Sequence, residues 1–144
     1  MSQRSRPSRP SETVPRPETG EHAAKHGVLL ALENHGGPTS TADGLSKIAR
    51  DVKSQWFGVN PDTGNFRSAD PYADIAAAAP YAITCHVKVE FTAGGKRQPT
   101  DYRRLVKILS QGGGYRGYLP LEYEAREAPA RPSHRPNPYM EPRL

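Results

Sequence analysis

Residues 27–37 read GVLLALENHGG. The centre of this stretch, VLLALEN at 28–34, is an unbroken apolar run ended by two polar residues, the pattern of a strand buried on both faces. Gly36, Gly37 and Pro38 then break the chain. Upstream, HAAKHG at 22–27 reads as the last turn of a helix closed by Gly27. Downstream, TSTADGLSKIARDV at 39–52 sets Leu45, Ile48 and Val52 at helical spacing, with Ser40 or Thr41 as the N-cap. A second strand follows at WFGVNPD, residues 56–62, where Trp56 and Phe57 read as core or helix-packing residues.

The order strand-then-helix recurs. DPYADIAAAAP at 70–80 is a short alanine-rich helix, with Asp70 as N-cap and Pro71 in its first turn. AITCHVKVEF at 82–91 reads as a third strand. DYRRLVKILSQGG at 101–113 reads as a helix with Tyr102, Leu105, Val106, Ile108 and Leu109 on its apolar stripe, stopped by glycines 112–114. YLPLEYE at 118–124 is a fourth strand. This alternation predicts an α/β fold with a parallel sheet and right-handed crossovers. It does not separate an open doubly wound sheet from part of a barrel.

The polar residues at the strand ends do. Glu33, Asp62, His86 and Glu122 each lie at or near the C-terminal end of one strand, 29, 24 and 36 residues apart. A (β/α)₈ barrel of about 250 residues has roughly 31 per unit and carries its chemistry at that end of its strands. Any one acid on a wet barrel rim is accounted for by pairing with a lysine. Four ligand-type side chains on four successive strand ends point instead to a metal site. Three carboxylates and one imidazole suit Mn²⁺, Mg²⁺ or Co²⁺, with Zn²⁺ also admissible.

The rest of the composition bounds the domain. Of 144 residues, the first twenty carry four prolines and four arginines, and the last twenty carry five prolines and four arginines. Such segments bury too little apolar surface to offset their ordering entropy, so residues 1–20 and 127–144 are expected to be disordered tails around a domain at 21–126. The net charge of +5 resides mainly in them: each twenty-residue end has four Arg against two Glu, and the middle has twelve Lys/Arg against eleven Asp/Glu. A nearly neutral centre argues against a nucleic-acid face. Cys85 is the single cysteine, no apolar run is long enough for a membrane span, and no secretory signal is visible, so a cytoplasmic protein is expected. Glycines 112–114 follow a helix and open none, which disfavours a phosphate-cradling loop.

The segments GVLLALENHGG, WFGVNPDTGNF, PYAITCHVK and YRGYLPLEYE together resemble the second half of the xylose isomerase-like TIM-barrel family, over about residues 21–126. That family includes sugar phosphate isomerases/epimerases and ketose 3-epimerases. The resemblance implies a partial (β/α)₈ barrel containing only the last four βα units. It implies metal ligands on strands five to eight, falling on Glu33 of ALENH, Asp62 of PDTGN, His86 of CHVK and Glu122 of LEYE, with Glu124 as an alternative to the last. It further implies that Glu33 and Glu122 exchange a proton at the carbon beside the carbonyl of a small sugar or sugar phosphate. His35, Asn65 and Lys88 are further candidates for substrate contact; Lys88 either reaches substrate or pairs with Glu90. Asn65 stands where these epimerases often have a histidine. With no further histidine after His86 in the central domain, it separates the chain from the three-zinc AP endonucleases of the same barrel.

Four strands leave two barrel edges open. The abrupt change at Glu21 is expected to mark a truncated or frame-disrupted product of a longer gene, with a non-catalytic remnant, or a dehydratase or lyase on the same barrel, as the alternative functions. Pairing of two copies is the other way to cover the edges.

Overall fold

A computed structural model describes residues 15–123. Helix α1 (Pro17–Lys25) opens with proline in its first turn, and Gly27 follows it in a left-handed conformation at φ 63°. Residues 17–20, expected to belong to a disordered tail, are therefore helical. Gly20 and Ala23 are buried, so α1 is held by packing rather than by composition. The tail expected at 127–144, and Glu124, lie outside the described residues.

Strand β1 (Leu30–Glu33) pairs in parallel with β2 (Phe57–Asn60), Glu33 opposite Asn60. Between them α2 (Ala42–Val52) buries Leu45, Ile48, Ala49 and Val52, the i, i+3, i+4, i+7 stripe that its sequence predicts. Of the two candidate caps, Thr41 serves: its Oγ1 accepts from Gly44 N at 3.1 Å. α3 (Pro71–Ala78) is capped as expected, Asp70 Oδ1 accepting from Tyr72 N at 3.1 Å and Ala73 N at 3.2 Å.

β2 is buried at all four residues, whereas β1 is only half-buried and Ala31 is exposed. The expectation of a β1 buried on both faces is corrected here. Leu30 and Leu32 pack partly against the core on one face, whereas Ala31 on the other face is exposed. Phe57 joins the core; Trp56 is half-exposed and contributes its carbonyl, which accepts from Leu30 N at 2.9 Å.

The third strand differs most from its reading. Residues 82–88 lie parallel to β2 through bridges Val59–Ala82 and Asp62–His86, and only Val87–Lys88 (β3) is regular strand. The approach to β2 is close: a Cβ on Gly58 would sit 2.7 Å from the Tyr81 carbonyl oxygen and 2.8 Å from Ile83 Cγ2. At Val89 the chain leaves the parallel array and makes an antiparallel hairpin, β4 (Glu90–Ala93) with β5 (Lys96–Pro99), across Gly94 and Gly95 at φ 53° and 79°. The reason is visible in TAGGKR, a Gly-Gly two-residue turn between alternating residues. Thr100 fastens the hairpin base, its N donating to Val89 O at 2.9 Å and its Oγ1 to Lys88 O at 2.6 Å.

Helix α4 (Tyr102–Lys107) is shorter than its sequence pattern and ends in a π-turn at Ile108–Gly112. Of the expected stripe, Leu105 and Leu109 are buried at i, i+4 spacing and Ile108 packs partly against the core, while Tyr102 and Val106 are exposed. Strand β6 (Leu121–Glu122) then pairs in parallel with β3. The described strands thus lie side by side as β1, β2, residues 82–88, β6, and do not close into a barrel. No described helix is long and apolar enough to cross a membrane.

Candidate metal centre

The register decides which side chains meet. Glu33 lies opposite Asn60, Asp62 opposite His86, and Lys88 opposite Glu122. Side chains alternate along a strand and point the same way at paired positions, so Glu33, Asn60, Asp62, His86, Lys88 and Glu122 all project from one face at the strand ends. Cys85 and Val87, one residue out of phase, point into the core. Burial, with the negative Asp62 carboxylate nearby, pushes the Cys85 thiol up to about 12.

Glu33, Asp62, His86 and Glu122 each offer a ligand atom, and all four atoms lie within 4.8 Å of one another. His86 Nδ1 is 2.9 Å from Glu122 Oε2 and 3.8 Å from Glu33 Oε1. Asp62 is fully buried: its Oδ1 accepts from Gly64 N at 2.8 Å, while its Oδ2 accepts no hydrogen bond and faces Lys88 Nζ at 3.3 Å. The other three ligand candidates are about one-third exposed, so the group is buried at its back and open in front.

A cation with ligand bonds of about 2.1 Å holds donor atoms up to roughly 4.2 Å apart, so closing this set around an ion takes movements of a few tenths of an ångström. Charge fits as well. Three carboxylates and the Lys88 ammonium leave two negative charges, which a divalent ion neutralises. The buried Oδ2 without a hydrogen bond, the short donor separations and the hard, oxygen-rich set therefore fit a divalent metal.

Lys88 holds the group together from one side. Its Nζ lies 2.9 Å from Glu122 Oε1 as well as 3.3 Å from Asp62, and its side chain is nearly buried. Pairing with Glu90, the alternative that the sequence left open, is replaced by this arrangement; Glu90 Oε1 instead accepts from Arg97 Nη2 at 2.9 Å. Gly64 makes room for Lys88, since a Cβ there would meet Lys88 Cγ at 2.6 Å. Asn65 lines a cavity beside the group, together with Lys88 and Glu122. His35 is exposed and lies outside the four-residue group; its backbone N donates to Thr39 Oγ1 at 3.1 Å.

Three residues support the group: Asn34, which in the sequence reads with His35 either as pocket lining or as part of the turn before Gly36 and Gly37, and Asn60 and Thr63, which escape a reading of strand ends. Asn34, fully buried, clamps Asp62: its Oδ1 accepts from Asp62 N at 2.6 Å and its Nδ2 donates to Asp62 O at 3.0 Å. Asn60 Oδ1 accepts from His86 N at 3.0 Å, and Thr63 Oγ1 accepts from Lys88 N at 2.9 Å. The available signal was polarity inside otherwise apolar strand sequence, which a buried amide tolerates only with partners.

The xylose isomerase-like TIM barrel family matches residues 18–141. The chain belongs to this family. Among solved structures it is similar to a xylose isomerase domain protein from Planctomyces limnophilus, at 26% identity and a TM-score of 0.58 over 74% of this chain. The chain spans 43% of the length of that protein. No functionally curated protein matches it. The family includes sugar isomerases and epimerases, often dependent on a divalent metal.

Proposed function

We propose that the chain carries the metal-binding half of a sugar or sugar phosphate isomerase/epimerase site, with Glu33, Asp62, His86 and Glu122 as ligands of one divalent ion. The convergence of these four side chains on one rim supports this most. On this reading the parallel segments are the last four βα units of a (β/α)₈ barrel, the protein is cytoplasmic, and its partner is a small sugar rather than nucleic acid or membrane. Residues exposed beside the outer strands, Val28 and Leu29 near β1 and Leu121 on β6, support a second copy covering these edges.

When bound, Mn²⁺, Mg²⁺ or Co²⁺, or alternatively Zn²⁺, supplies Lewis-acid polarisation of a substrate carbonyl. The chain does the rest. Glu33 and Glu122 lie on the two outer strands of the described array with partly exposed carboxylates, which supports one taking a proton from the carbon beside the carbonyl and the other returning one. Asp62, clamped by Asn34 and without solvent contact, acts as a fixed anionic ligand rather than a proton carrier. Lys88 orients Glu122 and Asp62 and keeps their negative charges together.

The test is solvent exchange. The Mn²⁺-loaded protein is incubated in D₂O with a panel of ketoses and ketose phosphates, and deuterium entering beside the carbonyl is followed by NMR. Exchange abolished by Glu33→Gln and by Glu122→Gln is expected. Stoichiometric metal binding without exchange on any substrate would favour a non-catalytic remnant or a related dehydratase or lyase; failure to bind metal would overturn the site itself.

A further inference from the structure

The β4–β5 hairpin builds one wall of the cavity beside the metal centre. The antiparallel register sets Thr92 opposite Arg97 and Glu90 opposite Pro99. Alternation therefore puts Glu90, Thr92 and Arg97 on one face, toward the cavity, while Phe91 turns into the core against Tyr72, with ring centroids 5.0 Å apart. With its base fastened by Thr100, the hairpin is an anchored platform. Arg67, from the loop after Asp62, reaches the same cavity, and Lys88 and Glu122 are shared between cavity and metal centre.

The charges around this space are unequal. Lys88 is engaged with Asp62 and Glu122. The remaining charged lining is two guanidiniums, Arg67 and Arg97, against one carboxylate, Glu90. Glu90 holds Arg97 through Nη2 at 2.9 Å, which orients a planar group with five N–H donors and leaves others directed elsewhere. The cavity is about 160 Å³ and open on one side, room for a compact ligand group beside the metal centre.

We infer that the substrate carries an anionic group, a carboxylate or a phosphate, which Arg67 and Arg97 receive beside the metal centre. The inference rests on the reading of the site as a small-sugar enzyme and narrows its substrates to sugar acids and sugar phosphates. A guanidinium can grip an oxyanion bidentately, a geometry that neutral hydroxyls do not match. It would fix the end of the substrate that does not react.

A matched three-carbon series separates the sources: glycerol, glycerate and glycerol 3-phosphate, titrated by calorimetry into the full chain with and without Mn²⁺. At least one anion is expected to bind tenfold or more tightly than glycerol, and the tighter of the two identifies carboxylate or phosphate. In the Arg67→Gln/Arg97→Gln double variant the preference should fall below threefold with Mn²⁺ affinity unchanged. Both arginines are exposed, so folding is not at stake. Equal binding of all three compounds, or a preference that persists in the double variant, overturns the inference. A chain that binds no Mn²⁺ yet shows an arginine-dependent anion preference would refute the metal reading and leave this one standing.

Discussion

Replacing Asn34 by alanine removes both halves of the clamp on Asp62. The Asp62 N–H then loses its 2.6 Å acceptor in a fully buried setting, an unsatisfied donor worth about 1–3 kcal/mol. The Asp62 carbonyl loses Asn34 Nδ2 at 3.0 Å but keeps Asn65 N at 3.3 Å, so its loss is smaller, about 0.5–1 kcal/mol. A total of roughly 1.5–4 kcal/mol is a large part of the 5–15 kcal/mol typical of a domain, and corresponds to a fall in Tm of about 6–30 °C. The same loss frees the segment carrying the most buried ligand, so Mn²⁺ affinity should drop about 10–100-fold, as for other residues that orient ligands. Urea unfolding measures the first effect on the metal-free protein, and electron paramagnetic resonance of free Mn²⁺ the second. A variant within 0.5 kcal/mol of the parent shows that the clamp carries no stability. A destabilised variant with unchanged Mn²⁺ affinity shows that Asp62 is placed by something other than Asn34.

Other consequences follow from single contacts. Lys88→Met leaves three carboxylates converging without their ammonium; the metal-free protein should lose about 3–5 kcal/mol, and millimolar Mn²⁺ should restore most of it, measured by thermal unfolding with and without the ion. With its thiol buried and pushed up to about 12, Cys85 holds far less thiolate at pH 8 than an exposed thiol, so alkylation by iodoacetamide should be strongly slowed until urea unfolds the chain; mass spectrometry follows it, and rapid labelling of the native protein contradicts the burial. Because burial raises this acid group's pKa, the native state is favoured below pH 9 and that contribution is lost as pH rises from about 9 toward 12. Thr41→Ala, which deletes the 3.1 Å cap on α2, should cost about 1 kcal/mol and leave Mn²⁺ affinity unchanged. If a second copy covers the outer strands, Leu121→Lys should shift a dimer to monomer in light scattering; a parent that is already monomeric at high micromolar concentration removes that proposal.

The parts legible in the sequence are those that depend on local rules. Asp70 before Pro71, the Leu45–Ile48–Val52 stripe and the polar ends of the apolar runs each specify their element within a few residues, and the structure follows them. The four strand-end residues were legible because in a parallel array the strand ends fall on one rim whatever the loops do. What escaped depends on partners distant in sequence. AITCHVKVEF looks like one strand because alternation continues through Val89, yet its first part pairs with β2 and β6 and its last part with β5; only the Gly94–Gly95 turn, acting backwards along the chain, marks the change. The role of Lys88 was undecidable for the same reason, since Glu90 is two residues away in sequence but Asp62 and Glu122 are its neighbours across the strands. The hairpin that broke the strand is also what brings Arg97 and Glu90 to the cavity beside Lys88 and Glu122. The grouping of Glu33, Asp62, His86 and Glu122 follows from the repeating strand pattern. The departure from that pattern at Val89 is what sets Arg97 beside the site, so on the proposed reading Arg97→Gln, which leaves Phe91 and the hairpin base in place, should weaken anion binding without altering metal affinity.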